Sequence, residues 1–173
     1  MKLSTIEFRV EPSRRVQWDA RSGFQPVTLY VDGEDFVETI RRIEVPYVAE
    51  ERALQEAEDG ELDDVMEEMF ADVPGRYLNL SASETFLPRR NFLGAPYDTG
   101  FELAADDPFR AKSLLLQCAC GITECWMLMA RIEVHDDVVT WTDLGQFHRQ
   151  HWSYELAFTF EREAYEAALR GPS

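Results

Sequence analysis

Residues 113–143 read SLLLQCACGITECWMLMARIEVHDDVVTWTD, and this stretch decides the fold. Leu114, Leu115 and Leu116 form a short apolar run within a strand. Gly121-Ile122-Thr123-Glu124 follows as a turn. Trp126, Leu128, Ala130, Ile132 and Val134 then recur at period two, so they share one face of a second strand. His135-Asp136-Asp137 supplies turn formers, and Val138 to Asp143 returns. Strands over Ser113–Cys120, Cys125–Val134 and Val138–Asp143, joined by tight turns, make an antiparallel meander.

The flanks extend it. Leu156, Phe158 and Phe160 alternate as a final strand. Glu161 to Leu169 reads as a helix with Glu161 and Glu163 in its first turn and Arg170 at its end, each suited to the helix dipole; Gly171-Pro172 stops it. Upstream, the first thirty residues read as strands, with Ile6, Phe8, Val10 and then Val27, Leu29, Val31 at period two. Asp32-Gly33 breaks the second strand. Phe36, Val37, Ile40 and Ile43 follow at helical spacing, with Asp32 as the expected cap and Pro46 as the expected end or kink. A second helix is expected over Glu61–Asp72. Leu62, Val65, Met66, Met69 and Phe70 form its apolar stripe, with Asp63, Asp64, Glu67 and Glu68 opposite. The acidic segment 50–61 reads as helix or loop. Residues 76–111 read as a long ordered excursion pinned by Phe86, Phe92, Tyr97, Phe101 and Phe109. The expectation is one α+β domain over residues 1–173, with a mainly antiparallel sheet ending in the C-terminal meander and two or three helices packed beside it.

A chain of 173 residues with 45% hydrophobic content builds a core without needing disulfides or metal. Its net charge is −16. That charge disfavours nucleic acid, whose binding draws on Lys and Arg at phosphates, and it disfavours anionic membrane surfaces. It favours basic partners. The first residues lack the apolar run of a signal peptide. Three cysteines within eight residues do not make a secreted disulfide framework. The expected compartment is a reducing cytoplasm.

Those cysteines are the most specific local signal. Cys118 and Cys120, two apart on the expected strand, point to one face, and a chain reversal carries Cys125 towards them. With His148 as fourth ligand, or His151 in its place, they form the soft tetrahedral donor set of a structural zinc. The plain alternative is three small apolar residues at a turn. A third reading is a disulfide to Cys125, although no basic neighbour in sequence lowers a thiol pKa. His148 and Arg149 with Trp152 and Tyr154 read as a binding patch, since Arg, Trp and Tyr are enriched at binding hot spots, while Trp152 and Tyr154 also suit core packing. Asp63, Asp64, Glu67 and Glu68 form a like-charged face that a basic partner would relieve. No Walker loop, Gly-x-Ser-x-Gly elbow, His-Glu-x-x-His or dinucleotide fingerprint is present.

The runs Leu116-Gln117-Cys118-Ala119-Cys120-Gly121, Cys125-Trp126, Val139-Thr140-Trp141, Phe147-His148-Arg149, Trp152-Ser153-Tyr154 and Tyr165-Glu166-Ala167-Ala168-Leu169 carry a resemblance. The chain resembles a family of small bacterial proteins with a Cys-x-Cys-Gly loop followed by a third Cys and Trp. It departs from that pattern at Met127, where the family often has proline. The resemblance implies a bacterial domain and no particular activity. The expected function is therefore a non-catalytic acidic binding protein that neutralises a basic protein partner, as immunity proteins and antitoxins do. The alternatives are a zinc-stabilised regulator or enzyme organised around the cysteines, and a structural or assembly protein.

Overall fold

The computed structural model describes residues 1–16 and 23–172. The N-terminal alternation yields β1 (Ile6–Val10) and β2 (Val27–Val31), paired antiparallel with Ile6 opposite Val31. The part of the strand reading that falls on residues 17–22 lies outside the described residues. Asp32 and Gly33 both take positive φ, 52° and 78°, the two-residue turn whose twist matches a hairpin. β3 (Glu34–Asp35) completes a three-stranded sheet. Asp32 thus belongs to a hairpin and does not cap a helix. Its carboxylate accepts from the Thr5 amide at 2.8 Å and the Ser4 hydroxyl at 3.0 Å.

Asp35 is the cap of α1 (Phe36–Asp59), accepting from the Val37 amide at 3.0 Å. The helix does not end at Pro46. Proline removes one amide donor, but its fixed φ is itself helical, and Phe36, Ile40 and Val48 are buried on both sides of it. The open alternative for the acidic segment resolves as helix, up to Gly60 at φ 81°. α2 (Asp64–Asp72) begins later than expected because Asp63 is its cap, accepting from the Met66 amide at 2.8 Å. None of its residues is fully buried.

The excursion that follows holds β4 (Tyr77–Leu78), α3 (Ala82–Thr85) with a Ser81/Glu84 capping box, and single turns at Asn91–Leu93 and Pro108–Ala111. Phe86, Phe92 and Phe109 are buried and pin it down. β5 (Ser113–Cys118), β6 (Leu128–Val134), β7 (Val138–Gln146) and β8 (Phe158–Glu161) then form an antiparallel sheet in the order β4-β5-β6-β7-β8. α4 (Arg162–Ala168) closes the chain, its first amides held by Glu161. The N-terminal strands form their own sheet, and a bridge between Ser4 and Phe160 joins it to the larger one. The fold is α+β with antiparallel pairing in both sheets.

Every residue of β5 is buried, which explains its unbroken leucines. At the centre Trp141 meets Phe36, Phe92, Phe158 and Phe160. Its indole N–H donates to the Tyr165 hydroxyl at 2.9 Å, which donates in turn to the Phe92 carbonyl at 2.6 Å. A buried Trp and Tyr keep their polar ends paired in this way. Among the described residues no helix is long and apolar enough to cross a membrane.

Candidate functional site

The strand carrying the cysteines stops at Cys118, so Cys118 and Cys120 do not share a strand face. Ala119, Cys120 and Gly121 turn the chain, and Thr123–Cys125 forms one tight turn before β6. The loop is fixed on several sides. The Ala119 amide donates to the Arg76 carbonyl at 3.2 Å. Thr123 donates to the Gln117 side chain at 3.1 Å, and Tyr97 to the Glu124 carboxylate at 2.8 Å.

That turn still brings the three thiols together. The Cys120 amide lies 3.4 Å from the Cys118 sulfur, and the Ile122 amide lies 3.5 Å from the Cys120 sulfur. Cys120 is within hydrogen-bonding reach of both the Cys118 and Cys125 thiols. Their acidities diverge. Burial pushes Cys118 up to about 11. Burial also opposes ionisation at Cys120, but the Ile122 amide, the two neighbouring thiols and the Arg76 charge outweigh it and hold that thiol below its ordinary value. Partial burial, the hydrogen bond with Cys120 and the Glu124 charge raise Cys125. Arg76 follows α2 in the chain and reaches the sulfurs only through the fold, which is why no basic neighbour is visible in sequence.

The cysteines lie along a cleft of about 580 Å³ between the last turns of α1, α2 and the loop. Leu54, Met69, Phe70 and Val73 form an apolar wall, and Arg76 and Arg149 add positive charge. Arg149 stacks over Trp126, 5.1 Å from the ring centre, and pairs with Glu51 at 2.8 Å. The cleft exists because α2 packs shallowly. Among the described residues its one tie to α1 by charge is from Glu67 to Arg52, which also pairs with Glu56 at 3.1 Å.

Of the zinc ligands expected from sequence, the three cysteines meet at the turn, whereas His148 is engaged elsewhere. His148 has its Nε2 2.7 Å from the Glu124 carbonyl and stacks on Trp126. Among the described residues no group of three or more His, Cys, Asp or Glu side chains is arranged to hold a metal ion. Of the acidic face, Asp63 is a helix cap and Glu67 an ion-pair partner, so Asp64 and Glu68 are left facing outwards. Trp152 is 3% exposed and packs on Tyr47 and Trp126.

A buried carboxylate supports this site from behind. Glu44 of α1 is fully buried and accepts from the Tyr77 and Tyr154 hydroxyls, both at 2.5 Å, and from the Gly75 amide at 2.9 Å. It thereby holds the Gly75-Arg76-Tyr77 segment in place, and Tyr77 pairs with Cys118. Glu44 was legible as an acid at the i+4 step of the line Phe36, Ile40, Glu44, Val48; Arg76 carried no signal of its own.

Fold and site together define an α+β protein with a thiol-floored cleft. The chain matches no protein-family model, no curated protein and no solved structure.

Proposed function

We propose that this protein is a thiol-redox protein in which Cys120 and Cys125 pass reversibly between dithiol and disulfide beside a ligand-admitting cleft. The observation that carries this reading is the position of Cys120, between two other thiols and beside an amide and a guanidinium that favour its thiolate. A low-pKa, accessible cysteine next to a resolving partner is the arrangement of redox-sensing thiols. With a peroxide, the Cys120 thiolate attacks one oxygen, the O–O bond breaks and hydroxide leaves, which gives a sulfenic acid. The Cys125 sulfur then attacks Cys120. The S–O bond breaks, its hydroxyl leaves with the Cys125 proton as water, and two electrons have passed from the thiols to the peroxide. Cys118, buried and held as a thiol, is the spectator.

Differential alkylation and peptide mass mapping after peroxide treatment test this. The expected product is a Cys120–Cys125 disulfide with Cys118 still alkylable. The Cys120→Ser variant forms none and Cys118→Ser forms it normally. Three free thiols after treatment, or a disulfide that uses Cys118, overturns the proposal.

A second reading rests on exposed apolar side chains of α1 and α2, two of them at the cleft wall. Val65 is 75%, Leu54 63% and Met69 47% exposed, next to Asp64, Glu68 and Glu58. Exposed apolar side chains set among carboxylates suit a basic, amphipathic protein partner, in line with the net charge of −16. Capture of a protein from lysate at low salt, lost at high salt and in Asp64→Lys/Glu68→Lys, supports this reading; no salt-sensitive capture sinks it.

A further inference from the structure

The chain has 17 basic residues, and only Lys2 and Lys112 among them are lysines. Lys2 is exposed, whereas Lys112 is 5% exposed. Lysine is almost never buried without a partner. Yet the Lys112 amine has no hydrogen bond or ion pair among the described residues. It lies over the Phe109 ring, whose centre is 4.2 Å away. Arg131 and Asp143, whose charges act on it, pair with each other at 3.6 Å.

The fold makes room for this amine. A Cβ at position 145 would stand 3.2 Å from the Lys112 Nζ and 2.9 Å from Phe109. Glycine there lets the lysine lie against β7. Sealed, unbonded side-chain nitrogens and oxygens occur among the described residues at Gln25, Thr28, Trp126, Arg131 and Trp152; the Lys112 Nζ is not one of them. Lys112 instead lines a cleft of about 780 Å³, separate from the one that holds the cysteines, along with Pro108, Thr142, Asp143 and Ser153.

We infer that Lys112 is an amine nucleophile whose cleft admits a small neutral aldehyde or ketone and holds it as a reversible imine. Burial lowers the pKa of this lysine and the Arg131 charge adds to that, against the opposing pull of Asp143 and Asp107. A larger share of the amine is therefore free at a given pH. Arginine, used nearly everywhere else in this chain, keeps its proton and offers no such nucleophile. Asp143 and Glu155 on the cleft wall disfavour an anionic ligand, so the carbonyl compound is neutral. In the reaction the nitrogen bonds to the carbonyl carbon. The carbonyl oxygen then leaves as water with the two protons needed to balance it, and the C=N bond replaces C=O. No oxidant or reductant is required.

The test treats the native protein near neutral pH with acetaldehyde and cyanoborohydride, which reduces an imine to a stable secondary amine, and maps the adducts by peptide mass. Lys2 is the internal control. Labelling of Lys112 faster than Lys2 supports the inference. Labelling of Lys2 with Lys112 untouched in the folded protein overturns it. The Lys112→Met variant keeps the apolar stem and removes the amine. An unchanged or raised melting temperature supports a lysine kept for chemistry, because an unpaired buried ammonium costs stability. A lowered melting temperature with no labelling of Lys112 in the wild type overturns the inference in favour of a packing role.

Discussion

Replacing Glu44 by alanine leaves three buried donors, the Tyr77 and Tyr154 hydroxyls and the Gly75 amide, without an acceptor. Unpaired buried polar groups are expensive, so the expected loss is about 3 kcal/mol or more in denaturant unfolding. Glutamine is different. Its oxygen can accept from Gly75 while its amide donates to the tyrosine oxygens, which accept as well as donate. Glu44→Gln therefore retains most of the stability, and it isolates the ionisation. Burial holds the Glu44 carboxyl above its ordinary 4.5 in spite of its three hydrogen bonds and the Arg41 charge. The native state thus binds a proton that the unfolded chain has already released. The cost of ionising Glu44 in the folded protein is present at neutral pH, and it is relieved as pH falls through the raised value towards 4.5. The wild type should gain stability relative to Glu44→Gln over that window; a gap between the two that is independent of pH would refute the assignment. At this scale the sequence was partly readable. Glu44 interrupts an apolar line at helical spacing. His148 was visible as a ligand type, but its capture by the Glu124 carbonyl depends on a turn that spacing does not reveal.

Gly75 connects α2 to β4, and its geometry sets where Arg76 stands. Its φ is +66°, and a Cβ there would meet the Arg41 Cβ at 2.6 Å. Both faults act on Gly75→Ala, which should cost roughly 1–3 kcal/mol from backbone strain alone and displace Arg76 from the thiols. The expected readouts are a lower melting temperature and a Cys120 alkylation profile moved to higher pH. Arg76→Gln should move the same profile in the same direction with little change in melting temperature, since Arg76 is exposed; an unmoved profile in both variants would show that the guanidinium does not act on Cys120. The elements themselves were largely legible. Period-two runs gave β1, β2 and the meander, whereas Asp63, expected inside α2, is its cap. The misplaced details share one cause, competition between local signals. Asp32-Gly33 suits both a helix start and a hairpin, and pairing of Glu34 and Asp35 with β2 settles it. Pro46 discourages a helix, but buried neighbours on both sides hold α1 together. Ala119 and Cys120 extend a strand pattern until Gly121, at φ 92°, turns the chain.

The cleft as a whole was not readable, because it is assembled from residues near 51–58, 69–76, 118–126 and 149, and no local pattern links segments so far apart. Its depth follows from unequal attachment. β5 is buried throughout, whereas α2 buries no residue fully and leaves Val65 and Met69 open. Stability in a protein is distributed according to such burial, so the amides of α2 should exchange with solvent much faster than those of β5, β6 and β7. The Arg52 pairs with Glu56 and Glu67 are partly exposed and so contribute at most about 1 kcal/mol. On so shallowly packed a helix, that amount is enough to be seen. Arg52→Ala, or high salt on the wild type, should speed exchange in α2 several-fold and leave the sheet unchanged. The same loosening widens the approach to Cys120, so its alkylation should quicken with the exchange of α2. Equal protection of α2 and the sheet would mean that α2 is held by more than these contacts and that the cleft is a rigid one.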